Sequence, residues 1–150
     1  MTLARPVRRK NAGTTLMEML LAMAVLGILT SVTVPRAASL VDRASVKGAM
    51  QDVVLALAAA RAAAVQRGTN ASFVADTHAG KIRVVIGGAT VLERNILQTR
   101  GVRLEASRES VSFSPSGLGW GAANTTVIVS RGSRTDTVVM SRLGRVREAW

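Results

Sequence analysis

The stretch GTTLMEMLLAMAVLGILTSVTVP, from Gly13 to Pro35, is a continuous apolar run that contains one carboxylate, Glu18. A basic leader precedes it and contains Arg5, Arg8, Arg9 and Lys10. The segment Leu16–Val34 has about the length that an α-helix needs to cross a bilayer. Because Lys and Arg stay on the cytoplasmic side of a membrane, the leader predicts a cytoplasmic N-terminus. We expect the rest of the chain to form one modest domain.

The composition limits the chemistry that this chain can support. Hydrophobic residues make up 48% of the sequence but aromatic residues only 3%, which favours a light core of one long helix packed on sheet. The absence of cysteine excludes disulfides and thiolate metal sites, and the single histidine, His78, excludes a multi-histidine site. We expect no cofactor and no metal.

The net charge of +11 is concentrated towards the two ends of the chain. Removing the four leader charges leaves +7, and residues 131–147 carry five arginines against one acid, Asp136. The leader charge is explained as a signal for membrane topology. The C-terminal charge has no such explanation.

The apolar run has four possible interpretations: a buried core helix, an ordinary secretory signal, a plain anchor or a more specific functional helix. A buried core helix would show polar residues recurring on one face. An ordinary secretory signal has a shorter apolar region, although Ala37 and Ala38 offer a peptidase site that would release a soluble form starting near Ser39. A plain anchor would have no reason to hold Glu18, because an acid inside a membrane helix is costly and marks function. If the chain is cut between Gly13 and Thr14, the new amino group of one subunit can neutralise Glu18 of its neighbour.

The leader, Gly13, the Thr-Leu-x-Glu start, the apolar helix and Pro35 together resemble the class III signal of type IV pilins and pseudopilins. The resemblance implies that a prepilin peptidase cuts after Gly13 and methylates the amino terminus of Thr14. It places Glu18 at the fifth mature position and Pro35 at the twenty-second, as in that family. Thr14 departs from the family, which usually has Phe there.

After the apolar run the period of the sequence is first helical and then changes to two. One apolar stripe is predicted from Leu40 to Gly68 by Val46, Met50, Val53, Leu57, Ala60 and Ala64, with the charged residues, Asp52 among them, mostly on other faces. Gly68 is a natural helix stop. Eight strands are predicted: Ala71–Ala75, Ile82–Ile86, Thr90–Leu97, Val102–Glu105, Val111–Phe113, Thr126–Val129, Thr137–Met140 and Gly144–Arg147. The predicted fold is α+β, a long N-terminal helix packed on antiparallel sheet.

The order of a pilin-type helix, strands, SFSPSGLGW and a terminal LGRVR resembles the GspH/FimT pseudopilins. It implies four parts: a leader at 1–13, a transmembrane helix at 14–35, an amphipathic helix at 36–68 and a β domain at 69–150. The implied role is that of a minor subunit of a type II secretion pseudopilus or type IV pilus, assembled with other pilin subunits. Its localisation would be the bacterial inner membrane, with the C-terminal domain in the periplasm.

The sequence gives no indication of an enzyme. His78 lies beside Gly80 in a predicted turn and no Gly-x-Ser-x-Gly motif is present, so we interpret it as a solvated loop residue. The run Ser116–Gly121 lacks the Lys-Ser/Thr of a phosphate-binding loop. We interpret it as a flexible loop with Trp120 packing on the sheet or into a partner.

The C-terminal arginines form the second candidate site. Arg145 and Arg147 alternate in a predicted strand and would project from one face. The other candidates are Arg131, Arg134 and Arg142. Converging guanidinium groups bind phosphates non-specifically, and the resemblance implies double-stranded DNA as a partner through Gly144-Arg145-Val146-Arg147. The alternative is a solvated edge strand whose charges block unwanted pairing.

Overall fold

The structure, a computed structural model, describes residues 15–120, 125–141 and 143–149. Its helices and strands, in chain order, are α1 Leu16–Arg67, β1 Ala71–Asp76, β2 Lys81–Ile86, β3 Ala89–Asn95, α2 Ile96–Arg100, β4 Arg103–Ala106, β5 Ser110–Phe113, β6 Gly119–Trp120, β7 Thr125–Arg131, β8 Arg134–Met140 and β9 Val146–Ala149. The predicted α+β architecture is confirmed. The chain divides into two units, Met1–Ala37 and Ala38–Trp150, with the boundary inside α1.

The second half of α1 supplies the helical layer of the core. All six residues of the predicted stripe are buried, and so are Ala49 and Ala56 beside them. The small alanine side chains let the sheets approach the helix closely. α1 includes Pro35 and ends at Arg67, and Gly68 follows with a φ of 60° that favours glycine, as predicted for the helix stop.

Two antiparallel sheets complete the domain. Sheet A has the strand order β3-β2-β1-β5-β6, and sheet B has the order β4-β7-β8-β9. Burial alternates along the inner strands, so that one face of each sheet enters the core, with Phe73 and Phe113 as its largest side chains. The outer faces remain partly accessible.

The prediction of one long strand at Thr90–Leu97 is wrong at its end. β3 stops at Asn95, and the next residues form α2. The Asn95 side chain accepts a hydrogen bond from the Gln98 amide at 2.9 Å, which caps the helix, and Gly101 ends it with a φ of 63°. Capping chemistry thus outweighs the strand propensity of Ile96.

The predictions for the last third of the chain need two further corrections. The predicted loop at 116–121 contains β6, which pairs with Ser112 and Phe113, and Trp120 is 64% exposed. The last strand begins at Val146 instead of Gly144, because a turn with a hydrogen bond from the Gly144 amide to the Ser141 carbonyl precedes it. The remaining predicted strands are confirmed with small differences at their ends.

Candidate functional site

The first half of α1 is an apolar helix with exposed side chains. Leu16 is 80% exposed and Met23 70%, and none of the most apolar 18-residue window is buried. The helix is long and apolar enough to cross a membrane. Exposed apolar surface on this scale requires a cover of lipid or protein.

The start of α1 is capped by Thr15. Its hydroxyl lies 3.3 Å from the amide nitrogen of Glu18, which donates to it. Thr15 and Glu18 have the spacing of a capping box, in which a Thr is followed by an acid three residues later. Glu18 also places a negative charge in the first turn, where the helix dipole favours it. The Thr-x-x-Glu spacing indicates the capping role of Thr15 in the sequence, but sequence reasoning missed it.

The hydroxyl groups near the end of the apolar run bond to their own helix. Thr30 donates to the Leu26 carbonyl at 2.9 Å, and Thr33 donates to the Leu29 carbonyl at 2.7 Å. Each polar side chain therefore has an internal acceptor, which lowers the cost of placing it in an apolar environment. Gly13 and Thr14, the predicted processing residues, lie outside the described residues.

The structure brings Arg145 and Arg147 together. Both line a hollow of about 280 Å³ with Val139, Ser141 and Leu143. Val139 pairs with Arg147 and lies between the buried Val138 and Met140, so Arg147 lies on the outer face of sheet B. Arg145 precedes β9 and also lines a hollow against α1. Among the described residues, neither guanidinium has an acidic partner.

Arg131 and Arg134 do not join that pair. Arg131 lies on the helix-facing side of sheet B, where its Nε is 2.9 Å from Asp42 Oδ1 and its Nη1 donates to Ser45 Oγ and to the Arg100 carbonyl. Arg134 lines a separate hollow against α1. The expectation that the hairpin arginines converge with Arg145 and Arg147 is therefore wrong for these two. Arg142 lies outside the described residues.

The predicted placement of Asp52 on an outer face of the helix is also wrong. Asp52 is 7% exposed, and it accepts hydrogen bonds from Arg94 Nη1 at 3.0 Å and from Arg100 Nε at 2.8 Å. Sequence reasoning had no signal for this cluster, because α1 and α2 are far apart in the chain. His78 is exposed in the turn between β1 and β2, as predicted.

An apolar N-terminal helix that carries an antiparallel β domain defines the class of pilin-like minor subunits. The family model of the prokaryotic N-terminal methylation motif matches residues 8–34. The model of the family described as type II transport protein GspH matches residues 49–144. The chain belongs to this GspH family. A search of curated proteins found no match.

Solved structures show the same fold. The type IV minor pilin FimU of Pseudomonas aeruginosa is similar with a TM-score of 0.62 and 16% identity, over 72% of this chain and 90% of that one. The minor pseudopilin EpsH from the type 2 secretion system of Vibrio cholerae is similar with a TM-score of 0.55 and 12% identity, over 70% of this chain and 96% of that one.

Proposed function

We propose that this chain is a minor subunit of a type II secretion pseudopilus or a type IV pilus. The observation that carries the proposal is the order of two matches in one chain, a methylation motif over residues 8–34 and the GspH family over residues 49–144. The exposed apolar half of α1 supports insertion in the bacterial inner membrane, with the β domain in the periplasm. The role is structural, and we propose no catalytic activity. Turnover of an ester, peptide or glycoside that a point substitution abolishes would contradict this.

Processing is the first step of the proposed function. A prepilin peptidase cuts after Gly13 and methylates the amino group of Thr14. Gly13→Asp is expected to keep the leader on the chain, whereas the matched control Ala12→Gly is expected to be cut normally. Mass spectrometry of the purified chains checks this. An intact leader in the wild-type chain from a host with prepilin peptidase would overturn the assignment.

Glu18 has two possible contributions to assembly that substitution separates. As a charge it pairs with the amino terminus of a neighbouring Thr14, and as the acid three residues after Thr15 it has the spacing of a capping box at the start of α1. Glu18→Gln keeps a hydrogen-bonding side chain at the capping position but removes the charge. We expect Glu18→Gln and Glu18→Ala to lose fibre incorporation alike, because the unpaired amine remains in an apolar environment.

The control for this experiment is Ser31→Ala, which removes only a hydroxyl that bonds to the Ile28 carbonyl of the same helix. Its incorporation is expected to match the wild type. Normal incorporation of Glu18→Gln would contradict charge pairing, and a loss in Glu18→Ala alone would then assign the role to capping. We also propose a role in assembly for Pro35. Its backbone nitrogen carries no hydrogen, and α1 therefore lacks one hydrogen bond at this position.

A second candidate function is DNA binding by the outer face of sheet B. The observation that favours it is that Arg145 and Arg147 line the same hollow, and neither has an acidic partner among the described residues. Such a site would bind the phosphates of double-stranded DNA without sequence preference. Arg142 is a proposed third contact, whereas Arg131 is already held by Asp42.

Gel-shift titration of the full chain in detergent tests this candidate. Arg145→Ala/Arg147→Ala is expected to weaken binding and to lower the slope of log K against log salt by about 2. Arg103→Ala/Arg108→Ala removes the same charge from exposed positions elsewhere and is the control. Equal losses in both pairs, or no binding at low salt, would contradict a DNA site at the C-terminus.

A further inference from the structure

The seam between α1 and the edge strand β9 contains two hollows that lie end to end. The first, of about 300 Å³, is lined by Arg43, Lys47 and Met50 of α1 and by Arg134, Asp136 and Glu148 of sheet B. The second, of about 320 Å³, is lined by Val54, Leu57 and Arg61 of α1 and by Phe113, Arg145 and Val146. The helix residues follow one side of α1 at spacings of three and four. We call the two hollows together the α1–β9 groove.

The charged groups of the α1–β9 groove are unpaired within the part of the chain that the structure describes. Its basic side chains are Arg43, Lys47, Arg61, Arg134 and Arg145, and its acidic side chains are Asp136 and Glu148. None of them takes part in the ion pairs of the structure, which engage Asp42, Asp52, Asp76 and Glu93. The groove therefore has a surplus of positive charge without internal compensation.

The groove also contains a free strand edge. β9 pairs with β8 on one side, from Val146 opposite Met140 to Ala149 opposite Thr137. Among the described residues no strand pairs with its other side. Unpaired backbone groups along such an edge are a template for another strand. The charges of Arg147 and Glu148 restrict which strand can add.

The floor of the groove is apolar. Met50, Leu57 and Phe113 are almost completely buried, while Ala58 is exposed and Val146 is half-buried. A strand added to β9 would alternate its side chains between this floor and solvent. Strand addition recognises an extended peptide through backbone hydrogen bonds along an edge and through pockets for alternate side chains. The α1–β9 groove offers both, and it adds charged side chains at its two ends.

We propose that the α1–β9 groove binds an extended acidic segment of a partner protein, which adds to sheet B as a fifth strand beside β9. Acidic side chains of the segment pair with Arg43, Lys47 and Arg134 at one end of the groove and with Arg61 and Arg145 at the other. This inference rests on the proposed assembly function only in that it takes a protein as the partner.

Two other occupants fit the groove less well. A second copy of this chain carries the same positive surplus, so like charges would oppose its docking. Nucleic acid would bring its phosphates close to Asp136 and Glu148 and would leave the apolar floor unused. An extended segment with acidic ends and with apolar residues at alternate positions between them satisfies the charge, the floor and the strand edge together.

Fluorescence anisotropy of the full chain in detergent micelles tests the proposal. The probe is a short fluorescein-labelled peptide with Glu residues at both ends and alternating Val and Thr between them, and the control peptide has Lys in place of Glu. We expect the Glu peptide alone to bind. Lys47→Glu/Arg134→Glu is expected to weaken its binding about tenfold or more, because like charges then meet in the groove. Arg103→Glu/Arg108→Glu makes the same charge change at exposed positions outside the groove and is expected to weaken binding less than about twofold.

Two N-methylated probes separate strand addition from simple charge attraction. Methyl groups on the alternate amides that face β9 are expected to abolish binding, whereas methyl groups on the other set leave it unchanged. Equal binding of both methylated probes, or equal losses in the two double variants, would overturn the proposal. Displacement of the probe by duplex DNA with dependence on Arg147 would assign the site to nucleic acid instead. The assembly function is tested separately, by incorporation of the chain into fibres in cells. If that function fails and the groove proposal holds, incorporation is lost while the purified chain still binds the probe.

Discussion

Asp52 was predicted to lie on an outer face of α1, and the structure gives it a different role. Its carboxylate is nearly buried and joins α1 to Arg94 at the end of β3 and Arg100 at the end of α2. We expect Asp52→Asn to destabilise the domain by about 2 kcal/mol, because both charge-assisted hydrogen bonds are weakened. The control Asp76→Asn breaks an ion pair in which Asp76 Oδ2 lies 4.0 Å from Arg83 Nη2 and both side chains are about one third exposed. We expect it to lower the free energy of unfolding by less than about 1 kcal/mol. Urea denaturation measures both, and equal losses would contradict the role given to Asp52.

Gly48 leaves the space that Arg100 occupies above α1. A Cβ at position 48 would collide with Nη1 of Arg100. Gly48→Ala therefore has two opposed effects, a gain of about 1 kcal/mol in helix propensity and a loss from displacing Arg100. We expect the substitution to stabilise the Arg100→Ala chain by about 1 kcal/mol and to bring no such gain in the wild type. Thermal unfolding of the four chains checks this, and the same gain in both backgrounds would show that the contact does not matter.

At the scale of the elements, the second half of α1 has one buried face and one exposed face. Two leucines that are only two positions apart lie on different faces. Leu57 is 2% exposed and Leu55 is 61% exposed. Leu57→Ala is expected to destabilise the domain by about 3 kcal/mol through the cavity that it leaves. Leu55→Ala is its control and is expected to change the stability by less than about 0.5 kcal/mol. Chemical denaturation followed by circular dichroism distinguishes the two, and a large loss from Leu55→Ala would contradict the assigned faces.

The elements that sequence reasoning found are those with a clear period. The stripe on α1 and the alternation in β1, β2 and β7 were predicted because local burial repeats along the chain. α2 was missed because it has only five residues, too few to show a helical period. Its capping residues, Asn95 and Gly101, were nevertheless present in the sequence as a signal.

At the scale of the whole molecule, the buried core lies entirely in the unit Ala38–Trp150. Among residues 15–120, 125–141 and 143–149, the first buried apolar residue is Val46 and the last is Met140. We expect a chain that lacks residues 1–37 to fold cooperatively and to remain soluble, because the deletion removes exposed apolar surface but no core residue. Circular dichroism and thermal unfolding check this. A molten or aggregated product would show that the first half of α1 is needed for folding.

The candidate sites differ in how far the sequence specifies them. The apolar run, Glu18 and Pro35 lie within one short stretch, so their spacing is readable without a structure. Strand alternation predicted that Arg145 and Arg147 share a face, but turns separate them from Arg131 and Arg134, and the sequence did not indicate where those two would point. Strand register places Arg147 on the outer face of sheet B and directs Arg131 towards Asp42.

The sequence by itself determined the membrane-type helix, the core stripe of α1, the α+β class and the resemblance to the GspH/FimT family. These features depend on local composition and on periods of a few residues, which the linear chain displays directly. Only the tertiary structure decided the burial of Asp52, the separation of the arginines and the existence of the α1–β9 groove. Each of these arises where residues distant in sequence meet through strand pairing and helix packing, and such contacts leave no local pattern.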